Sequence, residues 1–254
     1  MDDIPTNDTT IAVVIPARYE SSRFPGKPLA LIAGRSLLAR TWDQSCRAFG
    51  PDRVWVATDD DRIVDHADAE GMQWVRTSSD CLTGTDRVAE ASQQIPADIY
   101  VNVQGDEPLV EPVDIRRVAE AARAHPGSVI NAMAPILTED DFRSSSVPKV
   151  LAAPDGRLLF MSRGAVPTTK SLTFERAWRQ VCIYGFTATT LMRFADHGQK
   201  TPLEAIEDIE ILRFLELGVP VWMVDASDNS VAVDYPADVA RVEAVLALRN
   251  PPEL

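Results

Sequence analysis

The sequence predicts an α/β fold: a mostly parallel sheet with helices on both faces and a small antiparallel insertion. Three observations carry this. Short β-branched runs alternate with longer helical segments over the first half of the chain, the pattern of strands joined by crossovers. The first run, Ile11 to Ile15, ends at Pro16 and opens into a loop rich in cations. After about residue 145 the rhythm changes, and two strand-like runs flank Pro154-Asp155-Gly156, a turn of the hairpin kind.

The elements follow in order. Ile11 to Ala17 is a buried strand, closed by Pro16, which has no ladder N–H to give. A helix is expected from Ser36 to about Phe49, a strand from Arg53 to Thr58, and a helix from about Asp61 to Glu70. Met72 to Arg76 is a short third strand, and Thr85 to Gln94 a helix with Gly84 at its entrance. Ile99 to Val103 is a fourth strand that ends at Gln-Gly-Asp-Glu-Pro. Val113 to Ala124 is a helix closed by His125-Pro126-Gly127, and Val129 to Leu137 a strand. Lys149 to Ala153, Arg157 to Met161 and Gln180 to Phe186 are strands of the insertion, at about residues 145–190. Leu203 to Leu217 has the apolar spacing of one helix, with Gly218 past its end. Val221 to Val224 is a late strand, and Pro236 starts a last helix to about Leu248. Residues 1–10 are polar and acidic and are expected to form a frayed tail ahead of one domain, 11–254.

Composition bounds the function. The chain has 254 residues and a formal net charge of -13, so it repels nucleic acid and anionic membranes in bulk. No run approaches the ~20 apolar residues of a membrane span, and the acidic start does not read as a signal peptide. Cys46, Cys81 and Cys182 are odd in number and widely spaced, which argues against a disulfide framework or zinc site and for a reducing cytoplasm.

Against that acidic background the loop after the first strand gathers Arg18, Arg23 and Lys27 with Ser21, Ser22 and Gly26. It reads as a cradle for a polyphosphate, since open α/β sheets bind ligands at the carboxyl ends of their strands; a solvated basic loop is the plainer alternative. Asp106 in Gln-Gly-Asp-Glu-Pro would project at the same edge. A carboxylate beside phosphates calls for a cation between them, and Mg²⁺ takes one or two carboxylates plus phosphate oxygens. Asp234, in Val-Asp-Tyr-Pro-Ala-Asp, reads first as a helix-start residue and second as another carboxylate for that site. Thr83 to Arg87 reads as a helix start whose amides could meet a base or ribose. Asp59-Asp60-Asp61 has two readings: a helix cap, which is preferred, or the metal-binding acids of a sugar-nucleotide glycosyltransferase using Asp59 and Asp61. Glu204, Glu207, Asp208 and Glu210 read mostly as a solvated helix face. His66, His125 and His197 fall in no motif.

Together these motifs resemble the CMP-Kdo synthetases, the cytidylyltransferases that activate 3-deoxy-manno-octulosonate (Kdo). The resemblance runs from about Ile11 to Leu248 through Pro16 to Leu29 (PARYESSRFPGKPL), TGTDRVAEA, YVNVQGDEP, SRGAVP, CIYGF, LEAIEDIEILRFLELG and VAVDYPADVARVE. It implies a Rossmann-like nucleotidyltransferase sheet, CTP as substrate, pyrophosphate release, Mg²⁺ on Asp106 and Asp234, and a homodimer formed through the insertion. By the same resemblance Pro16, Ala17, Arg18, Arg23, Lys27, Thr83, Gly84, Thr85, Arg87 and Gln104 would hold the nucleotide. Arg18, Lys27 and Asp106 would carry the catalysis. Arg163, Gln180, Tyr184, Glu210 and Ile211 would face the acceptor.

Two positions depart from the family pattern. Gln180 stands where the family carries histidine, and Ile211 where it carries glutamine. An isoleucine would leave sugar hydroxyls unpaired at about 1–3 kcal/mol each. The departures raise a second expectation, a smaller or less hydroxylated acceptor such as a phosphonate, for example phosphonoformate. A nucleotide-binding protein without catalysis is the third class, disfavoured by the complete set of charged residues.

Overall fold

In the computed structural model, which describes residues 9–21, 24–228 and 230–249, the chain enters its sheet at β1 (Ile11–Pro16). Residues 1–8 of the expected tail lie outside the described residues. Thr10, also assigned to that tail, is anchored: its N–H and its hydroxyl donate to Asp98 at 2.8 and 2.9 Å.

A small hairpin, β2 (Leu31–Ile32) and β3 (Arg35–Ser36), leads into α1 (Leu37–Phe49), where Ser36 Oγ accepts the Ala39 N–H. The expected alternation then follows as β4 (Val54–Thr58), α2 (Asp61–Ala69), β5 (Trp74–Arg76), α3 (Gly84–Ser92), β6 (Ile99–Val103), α4 (Pro112–Ala124) and β7 (Val129–Pro135). A short α5 (Glu139–Arg143) precedes the hairpin of β8 (Lys149–Ala152) and β9 (Leu158–Ser162). The chain continues through β10 (Trp178–Thr187), α6 (Ala188–Asp196), α7 (Pro202–Glu207), α8 (Ile211–Glu216), β11 (Val221–Asp225) and α9 (Asp238–Arg249).

The sheet runs in the order β11-β7-β10-β6-β1-β4-β5. Every neighbouring pair along it is parallel except those of β10, which is antiparallel to both β6 and β7. The run Gln180–Phe186, expected in the insertion, is therefore a central strand of the main sheet. Only the β8–β9 hairpin stands off it, paired to the start of β10. Gly185 makes the central position possible: a Cβ there would lie 3.0 Å from Val118 Cγ1 and 3.1 Å from Ala122 Cβ, so α4 packs directly on the strand.

Alternate residues of β1 feed opposite faces, as a pleated strand requires. Val13 and Ile15 join Val101, Val103 and Ile63 on one side. Ala12 and Val14 join Val88, Phe186 and Phe214 on the other. β1 and β6 pair side by side in parallel, Val14 against Asn102, so Pro16 and the Gln104–Glu107 turn emerge together. Gly105 allows their approach, since its Cβ would stand 3.2 Å from the Pro16 carbonyl.

The single helix expected over Leu203–Leu217 is two, α7 and α8. The break is Asp208, at φ 50° and ψ 49°, a left-handed conformation that a short acidic side chain tolerates. Arg163 donates to the carbonyls of Glu207 and Asp208 beside it. Of Glu204, Glu207, Asp208 and Glu210 only Asp208 is exposed, paired with Lys200 at 2.7 Å; the other three are not a solvated face. Glu204 is buried against Arg213 at 2.7 Å, Glu207 accepts from Ser162 Oγ and the Arg163 N–H at 2.8 Å each, and Glu210 is drawn to α3.

Candidate active site

A cleft of about 720 Å³ lies over the carboxyl ends of β1 and β6. The cation-rich loop after β1 forms one wall. Arg18 lines the cleft with an exposed side chain, next to Pro16 and Ala17. Arg23 lies outside the described residues. The loop is closed at its base by Gly26, whose N–H donates to the Tyr19 carbonyl at 2.9 Å. Gly26 has φ 71°, and a Cβ would press on the Tyr19 hydroxyl at 3.1 Å, so glycine is required here on both counts. The guanidinium of Arg62 stacks on the other side of this hinge, 3.3 Å from the Tyr19 ring centre.

Lys27 reaches across the cleft. Its Nζ donates to Asp106 Oδ2 at 2.9 Å and to the Val233 carbonyl at 3.0 Å. The second carboxylate oxygen, Asp106 Oδ1, is buried and has no hydrogen-bond partner among the described residues. Val233 N–H donates to the Asp106 carbonyl at 3.0 Å, which brings Asp234 to the same cleft wall. Of the residues expected around the triphosphate, Arg18, Lys27, Asp106 and Asp234 therefore converge.

At the other end of the turn, Gln104 packs against the start of α3. A Cβ on Gly84 would sit 2.5 Å from Gln104 Nε2, so the missing side chain is what admits the amide. Thr83 caps the helix on the Asp86 N–H. The Gly84 and Thr85 amides do not face open space: Glu210 accepts from them at 3.0 and 2.9 Å, and from the Thr85 hydroxyl as well. Burial raises the Glu210 pKa, and these three donors oppose the rise. Arg87 is buried, bonded to Thr77 and paired with Asp59 at 2.9 Å.

That pair also settles the acidic triplet. Asp59 is held by Arg87, Asp60 caps α2 on the Arg62 N–H at 3.0 Å, and Asp61 pairs with Arg76. None of the three lines the cleft, so the preferred cap reading stands and the glycosyltransferase alternative has no site.

The residues expected to face an acceptor are less uniform. Arg163 lines the cleft, but its Nε donates to the Glu207 carbonyl and its two terminal nitrogens to the carbonyls of Ser145 and Asp208, at 2.9 Å each. One N–H on each terminal nitrogen is left by this count. Lys149, fully buried, donates to the Ser144, Val147 and Arg163 carbonyls and so shapes the same wall. Its pKa is lowered by that burial. Gln180 Nε2 donates to Asn131 Oδ1 at 3.0 Å, and Asn131 donates to the carbonyls of Val181 and Ile183 at 2.9 Å across the β10 bulge. Tyr184 is buried with its ring on the cleft floor, and burial pushes its phenol well above the usual range.

Ile211 is not brought to the cleft. It is fully buried in the core with Leu212 and Phe214, because the break at Asp208 rotates the start of α8 inward. The expectation that it strips hydrogen bonds from an acceptor does not hold, and the phosphonate alternative loses that half of its basis.

Several residues at the site were not legible beforehand. Glu107 is buried beside Asp106, Arg179 and Lys200 line the cleft, and Arg213 ties Asp86 to Glu204 beneath α3. The only sequence signal for Glu107 is its place next to Asp106 in a turn, where an exposed acid is the ordinary expectation.

Comparison with known proteins matches this layout. A family model described as Cytidylyltransferase matches residues 12–221. The 3-deoxy-manno-octulosonate cytidylyltransferase of Myxococcus xanthus (strain DK1622) is 43% identical over 246 residues, 95% of this chain and 98% of that one. The mitochondrial enzyme of the same name from Arabidopsis thaliana is 34% identical, over 93% of this chain and 83% of its own length. Among solved structures, a CMP:2-keto-3-deoxy-manno-octonic acid synthetase complexed with CTP superposes with a TM-score of 0.87 at 31% identity, covering 95% of this chain and 100% of the other. A cytidylyltransferase from Leptospira borgpetersenii, at 16% identity and a TM-score of 0.65, shares the fold. The matches run through both walls of the cleft, and by them the chain belongs to the cytidylyltransferase family of nucleotidyltransferases.

Proposed function

We propose that this enzyme transfers CMP from CTP to a Kdo-type sugar acid and releases pyrophosphate. The observation that carries the reading is the pairing of Lys27 with one oxygen of Asp106 while the other oxygen, buried at the cleft, has no partner among the described residues. A carboxylate oxygen left in that state fits a cation, and Asp106 with Asp234 would hold Mg²⁺, which takes few protein carboxylates beside phosphate oxygens. When bound, the ion supplies positive charge to phosphate oxygens and lowers the pKa of a coordinated hydroxyl.

The protein's own part is positioning and charge. Gln104 and the gap at Gly84 shape the nucleoside end of the cleft. Arg18 and Lys27 face the triphosphate, where cations oppose the charge that grows on the leaving pyrophosphate. The acceptor oxygen attacks the α-phosphorus as the bond to pyrophosphate breaks, and holding both substrates in one cleft makes that attack effectively intramolecular. The remaining N–H groups of Arg163, with Lys200 close by on the cleft wall, suit the acid group of the acceptor. Relatives named for Kdo at 43% and 34% identity support the sugar acid as acceptor. A homodimer through the hairpin region is part of this proposal, on the family resemblance alone. Free Cys46, Cys81 and Cys182 suit the cytoplasm. No helix among the described residues is long and apolar enough to cross a membrane.

The test is pyrophosphate release with CTP and Mg²⁺ across Kdo, sialic acid, short 2-keto acids and small phosphonates. Release with Kdo, abolished by EDTA, is expected. Release with a phosphonate and not Kdo would overturn the acceptor; release with none would overturn the reading.

A further inference from the structure

Beside the Lys27–Asp106 pair lies a second join between the same two loops. Glu107 is 1% exposed, yet its carboxylate is spent on a hydroxyl and an amide: Oε2 accepts from Ser230 Oγ, and Oε1 from the Cys182 N–H at 3.3 Å. Arg179 grips the backbone of the same residue, its Nη2 donating to the Ser230 carbonyl at 3.0 Å. Three residues on, Val233 N–H donates to the Asp106 carbonyl and Val233 O accepts from Lys27, at 3.0 Å each. The stretch Ser230–Asp234 is thus stitched to the Gln104–Glu107 turn at two points, Ser230 to Glu107 and Val233 to Asp106, each next to one or both of the aspartates at the cleft. A buried carboxylate is a costly way to fill space, and an apolar side chain would pack there at less expense. What the carboxylate adds is direction, since a hydroxyl and an amide fix where the opposing loop lies.

We infer that Glu107 is a positioning residue that, through Ser230, sets the separation of Asp106 and Asp234. The inference rests on the reading that these two carboxylates hold the divalent ion. Glu107 itself meets no substrate. Its effect passes along Ser230–Asp234, so loosening the join changes metal affinity before it changes nucleotide affinity.

The test uses the full-length enzyme, with Mn²⁺ as an electron paramagnetic resonance probe. Mn²⁺ affinity is measured in the CTP complex and CTP affinity is measured separately in EDTA, for Ser230→Ala, Glu107→Gln, Asp106→Asn and Asp234→Asn. Ser230→Ala and Glu107→Gln are expected to weaken Mn²⁺ binding about tenfold while CTP affinity in EDTA stays within about twofold. Unchanged Mn²⁺ affinity in these two, with loss in the two aspartate variants, overturns the positioning role alone. Unchanged affinity in all four overturns the metal reading and the role with it. Loss of the native near-ultraviolet circular dichroism in both Ser230→Ala and Glu107→Gln also overturns it, because the pair would then hold the fold and not the site.

Discussion

Lys27 Nζ lies 2.9 Å from Asp106 Oδ2, joining the loop after β1 to the turn after β6 across the mouth of the cleft. The two side chains are 79 positions apart in sequence and keep 18% and 25% of their surface exposed. The pair is part-buried and adds less to stability than a fully buried one such as Arg213–Glu204. Its value lies in holding a cation and an anion at one point of the cleft.

Lys27→Met should therefore act on rate and not on folding. The expected outcome is a fall in kcat/KM of about 10²–10³, the scale for removing one charge-stabilising group from a reaction site. The melting temperature should move by no more than about 2 °C. Steady-state pyrophosphate release and a thermal melt check both halves.

Gly84→Ala tests the nucleoside end. The added methyl would meet Gln104 Nε2 at 2.5 Å, and the atom that must give way is the tip of a flexible side chain. The helix should form as well as before, while Gln104 shifts. KM for CTP is expected to rise about tenfold, the equivalent of one hydrogen bond of about 1.4 kcal/mol, with kcat nearly unchanged.

Arg213 is the buried counterpart of Lys27. It has no exposed surface, pairs with Glu204 at 2.7 Å and Asp86 at 2.8 Å, and stacks 3.6 Å above Phe194. Arg213→Met should cost about 3–5 kcal/mol, because Glu204 is left buried without a cation. At about 2–4 °C per kcal/mol for a chain of this size, the melting temperature should fall by roughly 10 °C. Circular dichroism melts measure it, and a fall of under about 3 °C would show that the acids find other partners.

Burial pushes the Cys46 thiol up to about 11 and, with Glu90 accepting its S–H, the Cys81 thiol up to about 12. Both native thiols then stay protonated at pH 8, and iodoacetamide should label them at least about tenfold more slowly than in denaturant. The sign for stability follows: the native state keeps protons that the unfolded state sheds above about pH 9, so stability falls as pH rises from there toward 11 and 12. Equilibrium unfolding at pH 8 and pH 10 measures the difference.

The parallel part of the sheet was legible because it is written locally. Ile11–Ile15 and Ile99–Val103 are apolar runs of strand length, each followed by residues too polar to continue. Asp60 as a cap followed from the same short-range logic, and Asp106 beside the basic loop followed from the rule that strand carboxyl ends share one edge of the sheet. β10 did not, because its place between β6 and β7 depends on pairings about 50 and 80 residues away, to which its own pattern is blind. The split of α7 from α8 was hidden too: the apolar spacing of Leu203–Leu217 continues across Asp208, and only the φ of that one residue turns the axis. That turn moved Ile211 into the core, while Glu210 still lines the cleft but is bonded to the start of α3, so one unread dihedral removed Ile211 from the expected site.

Glu210 gives the start of α3 an unusual character. Its carboxylate already occupies the Gly84 and Thr85 amides, the donors that a helix start commonly offers to an incoming anion. A ligand oxygen seeking them would compete with a rival tethered to the same chain and present at the high effective concentration of any intramolecular group. The helix start is thereby closed to stray phosphate and sulfate. On the proposed function, discrimination at that end would fall to contour, through the gap at Gly84 that seats Gln104, and recruitment of negative charge to Arg18 and Lys27.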